Sequence, residues 1–269
     1  SYHWLGGGSR RLTAHPTRMT VMALAGIPEI RPGDDLAGLI IDSVATNKEA
    51  IVDGDVLVVA QKIVSKAEGR YVNLEKVTPS KEAISLAKKV DKDPCLVELI
   101  LSCSTEVVRF RSGVLIVANR HGLILANAGI DTSNLDPQRG ETEVLLLPED
   151  PDRSASELLD EMARRTGASI GVVINDSLGR AWRNGTVGVA NGTSGVAALA
   201  DLRGRPDRRG RELRVTEIGL ADEIAAAASA VMGQADEGRP VVIVRGLSDA
   251  AGHGTAHDLV RARELDLFR

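Results

Sequence analysis

Two carboxylates stand where metal chemistry would want them. Asp131 lies in NAGIDTSN (127–134) and Asp176 in VINDSLGR (173–180), and each segment follows a short apolar run of strand character. Open sheets carry their ligands at the ends of strands. A hard cation such as magnesium or manganese takes oxygen ligands and keeps several waters, so one or two carboxylates beside a phosphate are enough to site it. Ser177, directly after Asp176, could offer its hydroxyl to a second ion. The competing explanation for each segment is a turn in which Asp and Asn side chains bond their own backbone. The recurrence of the theme after two separate strands favours metal.

Cationic candidates accompany them. Lys62 and Lys66 are four residues apart and would share a face if the run VLVV (56–59) passes into a helix. Two ammonium groups there could neutralise triphosphate charge, or they could be ordinary surface lysines. The segment lacks GxxxxGK[ST], so it is not a P-loop. In MGQADEGRP (232–240), Gly233 suits a helix C-cap, while Gln234 and Asp236 offer oxygens; the plain alternative is a loop. In AWRNG (181–185), Arg183 and Asn184 could grip an anionic substrate, or Trp182 could be a buried anchor for a loop. Gly185, Gly188, Gly192 and Gly195 lower the expectation of regular structure there and permit close backbone approach. Neither GxGxxG nor GxSxG occurs, which removes support for dinucleotide binding and for a serine nucleophile elbow. His253 and His257 are four apart, but without HExxH and with Gly254 between them they read as a polar loop rather than a zinc site.

The elements that must position these residues are short. Apolar runs at 21–24, 56–59, 114–117, 123–126, 144–147, 171–174 and 241–244 are bounded by Gly, Asp, Asn or Pro, as strands are. Helical patterns lie at 34–43, 80–91, 95–103, 154–166 and 220–232. The fourth has Ser154 and Glu157 at capping-box spacing and Gly167 after its end. NRHG between the runs at 114–117 and 123–126 predicts a hairpin. Antiparallel pairs mixed with irregularly spaced helices point to an α+β fold with mixed, largely antiparallel sheets. PEDPDR (148–153) is the candidate boundary between two subdomains.

The chain has 269 residues, room for one large domain or two modest ones. Aromatic residues make up only 2%, which argues against a base-stacking platform. A formal charge of −4 gives no footprint for nucleic acid. The local cluster Arg203, Arg205, Arg208, Arg209 and Arg211 is either a solvated loop or a contact for an anionic ligand. Cys95 and Cys103 flank an apolar helical stretch about 12 Å long, too far apart for a disulfide, so reduced thiols and a cytoplasmic location are expected. No apolar run approaches the length of a membrane span. Residues 1–18 contain GGGS, show no periodicity and precede Met19; they read as a leader, tag or flexible extension, leaving 19–269 as the working domain.

Together these segments resemble the coenzyme F-420-0:γ-glutamyl ligase family over about residues 20–269. The resemblance rests on GIPEIRPGDD (26–35), VSKAEGR (64–70), NAGIDTSN, NDSLGRAWRNG (175–185), ADEIAAAA (221–228) and IVRG (243–246), in that order. It implies an unusual α+β fold and a homodimer. It also implies GTP-dependent addition of one or more γ-linked L-glutamates to F-420-0 through an acyl phosphate, releasing GDP and phosphate. Asp131 and Asp176 match the ligands of a first divalent metal, magnesium or manganese, while Ser177 and Gln234 match those of a second; potassium is a further candidate ion. The family commonly has Thr where Ser177 stands, and some members have Glu where Gln234 stands. Nucleotide contacts would come from Ile27, Pro28, Glu29, Ile30, Gln61, Lys62, Lys66 and Asn134, and from Met232, Gly233, Ala235, Asp236 and Gly238. The flavin-binding nitroreductase domain that follows the ligase domain in some relatives has no counterpart in this sequence, so no FMN is expected. A metal-dependent phosphatase or nucleotidyltransferase, or a non-catalytic deazaflavin-binding module, would use the same carboxylates. No general base for the incoming amine is evident from the sequence.

Overall fold

An apolar residue at every successive position of a strand means that both of its faces are covered. Residues 56–59, 172–174 and 241–244 have this pattern, and all are buried. A computed structural model describes residues 18–132, 142–247 and 250–267. In chain order the elements are β1 (Thr20–Ala23), α1 (Leu36–Thr46), β2 (Val56–Ala60), α2 (Gln61–Ala67), β3 (Tyr71–Asn73), α3 (Lys81–Val90), α4 (Pro94–Ser102), β4 (Ser104–Arg111), β5 (Val114–Asn119) and β6 (Ile124–Ala126). There follow β7 (Glu143–Leu145), α5 (Pro151–Thr166), β8 (Gly171–Arg180), β9 (Arg183–Ser194), β10 (Ala200–Asp201), β11 (Glu217–Ile218), α6 (Leu220–Met232) and β12 (Val241–Arg245). The fold is α+β, with one mixed sheet and three small antiparallel ones among the described residues.

The mixed sheet has the order β1-β12-β2-β8-β9, and only β2 and β8 run parallel. Side chains alternate across it. Leu57, Val59, Val172, Ile174, Val241 and Ile243 join α1, α2 and α5 in one core. Val56, Val58, Val173, Val242 and Val244 join α6 in another. A third core lies between the α3–α4 pair and the β4-β5-β6 meander, and it includes Ala128 and Ile130, which precede Asp131. The hairpin expected at 114–126 is present as β5 and β6. Residues 148–153 carry the chain from the end of β7 into α5.

Two local expectations change. The N-cap of α5 is Asp150, whose side chain accepts from the Arg153 N–H, and Ser154 lies inside the helix with its hydroxyl donating back to the Asp150 carbonyl. Pro151 explains the earlier start, because its fixed φ and missing N–H suit the first helical turn. The glycine-rich stretch after residue 183 is not irregular but a strand of 12 residues, β9. A Cβ on Gly188 would lie 2.5 Å from the Ala225 carbonyl oxygen of α6, and one on Gly192 2.2 Å from that of Pro151. Glycine there lets two helices rest on the sheet at backbone distance.

Candidate functional site

The strand directions gather the chemistry at one edge. β1, β2 and β8 point the same way and β12 runs against them, with Ala60 opposite Asn175 and Val59 opposite Val241. The C-terminal ends of three strands and the N-terminal end of the fourth therefore meet. Four segments emerge there: the loop after β1, the start of α2, the pair Asp176–Ser177, and the loop between α6 and β12. Asp131 arrives from the third core. Its backbone N–H and C=O both bond to Leu145, while the Leu146 N–H donates to the Arg70 carbonyl just beyond α2.

These segments enclose a cavity of about 520 Å³. It brings together Ile27, Pro28, Glu29 and Ile30 with Gln61, Lys62 and Lys66. Met232, Gly233, Ala235, Asp236 and Gly238 form a further part of the wall, and the candidate metal ligands Asp131, Asp176, Ser177 and Gln234 all line it. Asn134 lies outside the described residues. Arg183 and Asn184 do not line the cavity; they are exposed at the start of β9, beside a hairpin turn whose Trp182 is 86% exposed rather than buried. The Arg203–Arg211 cluster is balanced in part by its own carboxylates, Arg203 by Asp201 and Glu217 and Arg211 by Asp207.

Sequence reasoning gave no role to Asn175 or Arg239, which also line the cavity with Glu237 of the 232–238 loop, or to Asn191, which touches Asp176. Asn175 and Arg239 stand inside the quoted segments 173–180 and 232–240, where only their neighbours were given roles. Asn191 had no sequence signal; only the pairing of β9 with β8 brings it to Asp176.

The cavity pairs charge with charge. Lys62 Nζ is 2.6 Å from Asp131 Oδ2, and Lys66, nearly buried, is paired with the more exposed Glu29. Gln61 is held by the Ser65 hydroxyl, which donates to Oε1 at 3.0 Å. Asp176 accepts from the Ser177 N–H at 2.7 Å and from Asn191 Nδ2 at 3.3 Å. Burial nevertheless dominates and pushes its carboxyl up to about 6; the Asp131 charge adds to this, and the two hydrogen bonds and Lys62 oppose it. The Ser177 hydroxyl is hydrogen-bonded to Gln234 Oε1, and Gln234 Nε2 donates to the Ser229 hydroxyl at 2.9 Å.

This donor set fits a hard cation. Asp131, Asp176, Ser177 and Gln234 offer oxygen only, and an added positive charge would relieve a desolvated carboxyl. No three His, Cys, Asp or Glu side chains among the described residues converge as a metal cage would. Magnesium-type sites that rely on one or two carboxylates complete their shell with water and phosphate oxygens.

Comparison with known proteins gives the family of the chain. A family model described as "F420-0:Gamma-glutamyl ligase" matches residues 26–246. The chain is 44% identical over 253 residues to the "Coenzyme F420:L-glutamate ligase" of Methanothermobacter thermautotrophicus, covering 93% of this chain and 99% of that protein. The protein of the same description from Methanocaldococcus jannaschii is 46% identical over 219 residues, covering 81% of this chain and 86% of the relative. That from Archaeoglobus fulgidus is 43% identical over 252 residues, covering 94% and 97%. The protein is thus an enzyme of the acid–amino-acid ligase class, which closes amide bonds. Within that class, the chain belongs to the F420-0:γ-glutamyl ligase family.

Proposed function

We propose that this enzyme uses GTP to add L-glutamate, one or more residues in γ-linkage, to F-420-0, releasing GDP and phosphate. The observation that carries the proposal is the convergence of Lys62, Lys66, Asp131 and Asp176 on one cavity. An amide cannot form efficiently from a free carboxylate in water, so the acceptor carboxyl must first be activated. Transfer of the γ-phosphoryl group gives an acyl phosphate. The glutamate amine then attacks its carbonyl carbon and phosphate leaves.

In this reading Lys62 and Lys66 bear against the phosphate chain, with Asp131 and Glu29 orienting them until nucleotide enters. The loop 232–238 and residues 27–30 form the nucleotide walls. Asp131 and Asp176 would hold one magnesium or manganese ion, and Ser177 and Gln234 would contribute to a second. Such ions supply charge neutralisation on the phosphoryl oxygens. The protein's share of catalysis is then positioning and fixed electrostatics, for which no protein nucleophile is required. A homodimer in the cytoplasm is the proposed working form; no helix among the described residues is long and apolar enough to cross a membrane.

The test is incubation of the purified chain with F-420-0, GTP, L-glutamate and magnesium or manganese, read by mass spectrometry. The expected product is heavier by one glutamyl unit or more. Release of phosphate from GTP with no such product under either metal would favour a phosphatase and refute the ligase reading.

A further inference from the structure

A second cavity, about 260 Å³, is lined by Asn191, the residue that donates to Asp176 in the cavity described above. Its charged and polar walls come from four places: Arg120 and His121 in the β5–β6 turn, Glu149, Asp150 and Asp152 around the start of α5, Asn191 on β9, and His257 in the last described segment. Asn191 connects the two cavities through one hydrogen bond. It is 4% exposed, lines the second cavity, and donates Nδ2 to Asp176 Oδ2 in the first. Its Oδ1 is buried and has no hydrogen-bond partner among the described residues. A buried amide oxygen left this way has a desolvation cost that a bound donor would remove.

The wall chemistry narrows the ligand. Asp152 is fixed by two backbone N–H groups, Thr193 and Ala256, which both donate to Oδ1 at 2.8 Å, leaving Oδ2 without a hydrogen bond among the described residues. Asp150 and Asp152 both act electrostatically on His121, whose imidazole is held by burial below its ordinary range and so stays neutral near pH 7. Arg120 stands beside them, anchored by its Nη2 to the Ser102 carbonyl at 2.5 Å. Carboxylates and a guanidinium around one small cavity suit a ligand that carries both signs.

We infer that this second cavity is the subsite for the amino-acid co-substrate, with the ammonium group against Asp150 and Asp152 and a carboxylate toward Arg120. The inference rests on the ligase reading above. It adds where the amino acid waits: one side chain, Asn191, away from Asp176. His121 is then a neutral imidazole beside an ammonium that must lose a proton before it can react.

Steady-state kinetics test this, with L-glutamate, GTP and F-420-0 varied in turn. Asp152→Asn and Arg120→Ala should each raise the KM for L-glutamate by about tenfold or more, the effect of losing one charge-assisted contact, and leave the KM for GTP unmoved. Arg120 is exposed, so its variant reports even if Asp152→Asn melts early. An unchanged KM for L-glutamate in Arg120→Ala, or an equal rise for GTP, overturns the subsite while leaving the ligase reading standing. Absence of glutamylated product from the unaltered enzyme would instead fell the ligase reading and the subsite with it.

Discussion

Asp176 grows out of the central sheet, at the end of a run of five buried strand residues. Asp131, by contrast, is carried in by a single antiparallel bridge to Leu145 from a core built on the α3–α4 pair. Asp131 already faces a cation, Lys62, at 2.6 Å. Asp176 faces amides, and its negative form is penalised by burial. One half of the site is thus neutralised by the protein itself. The other half is left in deficit, to be completed by what binds. A pocket made this way holds its shape when empty and still gains from taking up positive charge.

The sharpest way to break the comparison is to neutralise each carboxylate in turn. Asp131→Asn and Asp176→Asn should both lower turnover by about a thousandfold or more, as loss of a catalytic metal ligand does. Product mass spectrometry at saturating substrates reads this, and full activity in both variants would refute the metal assignment. Their metal-free stabilities at pH 8 should move in opposite directions. Asp176→Asn removes a penalised anion and should melt higher than the parent, while Asp131→Asn takes a carboxylate from Lys62 and should melt lower by about 1 kcal/mol or less.

The pH dependence of stability sharpens the same contrast. Because the Asp176 pKa rises from 3.8 to about 6 on folding, the native state holds the proton more tightly than the unfolded chain. Its contribution to stability is therefore greatest below about pH 4, declines as pH rises through about 6, and is flat above. The gap between parent and Asp176→Asn should open over that window by no more than about 3 kcal/mol, measured by denaturant melts without metal. A gap independent of pH would mean that Asp176 is not desolvated. A more modest effect on activity belongs to the proposed second ion. Gln234→Glu should tighten divalent-metal dependence about tenfold, since carboxylate outranks amide as a ligand for hard cations. Metal titration of activity checks it.

Much of this architecture was legible because the sheet is buried on both sides. Continuous apolar runs such as 56–59 and 241–244 mark strands without need of alternation, and caps such as Gly167 and Gly233 mark helix ends. β9 was not legible, since its glycines look like breakers until α6 and Pro151 are seen pressing on Gly188 and Gly192. Each half of the first cavity could be picked out locally, from Asp131, Asp176, Lys62 and Lys66. Their meeting came only from the family resemblance, because it depends on the pairing of Ala60 with Asn175 across more than a hundred residues. Asn191 shows the same limit: nothing beside it in the sequence predicts its contact with Asp176.

That long-range pairing also governs how the molecule comes into being. β1 is the first strand of the described chain, and its only partner in the sheet is β12, with Thr20 opposite Arg245. Contacts so distant must close a long loop before they contribute any stability, which makes them late events in folding. During synthesis β1 has no sheet partner until β12 has been made, while the α3–α4 unit and its meander can already collapse from local contacts. The binding edge is complete only once β12 has taken its place between β1 and β2.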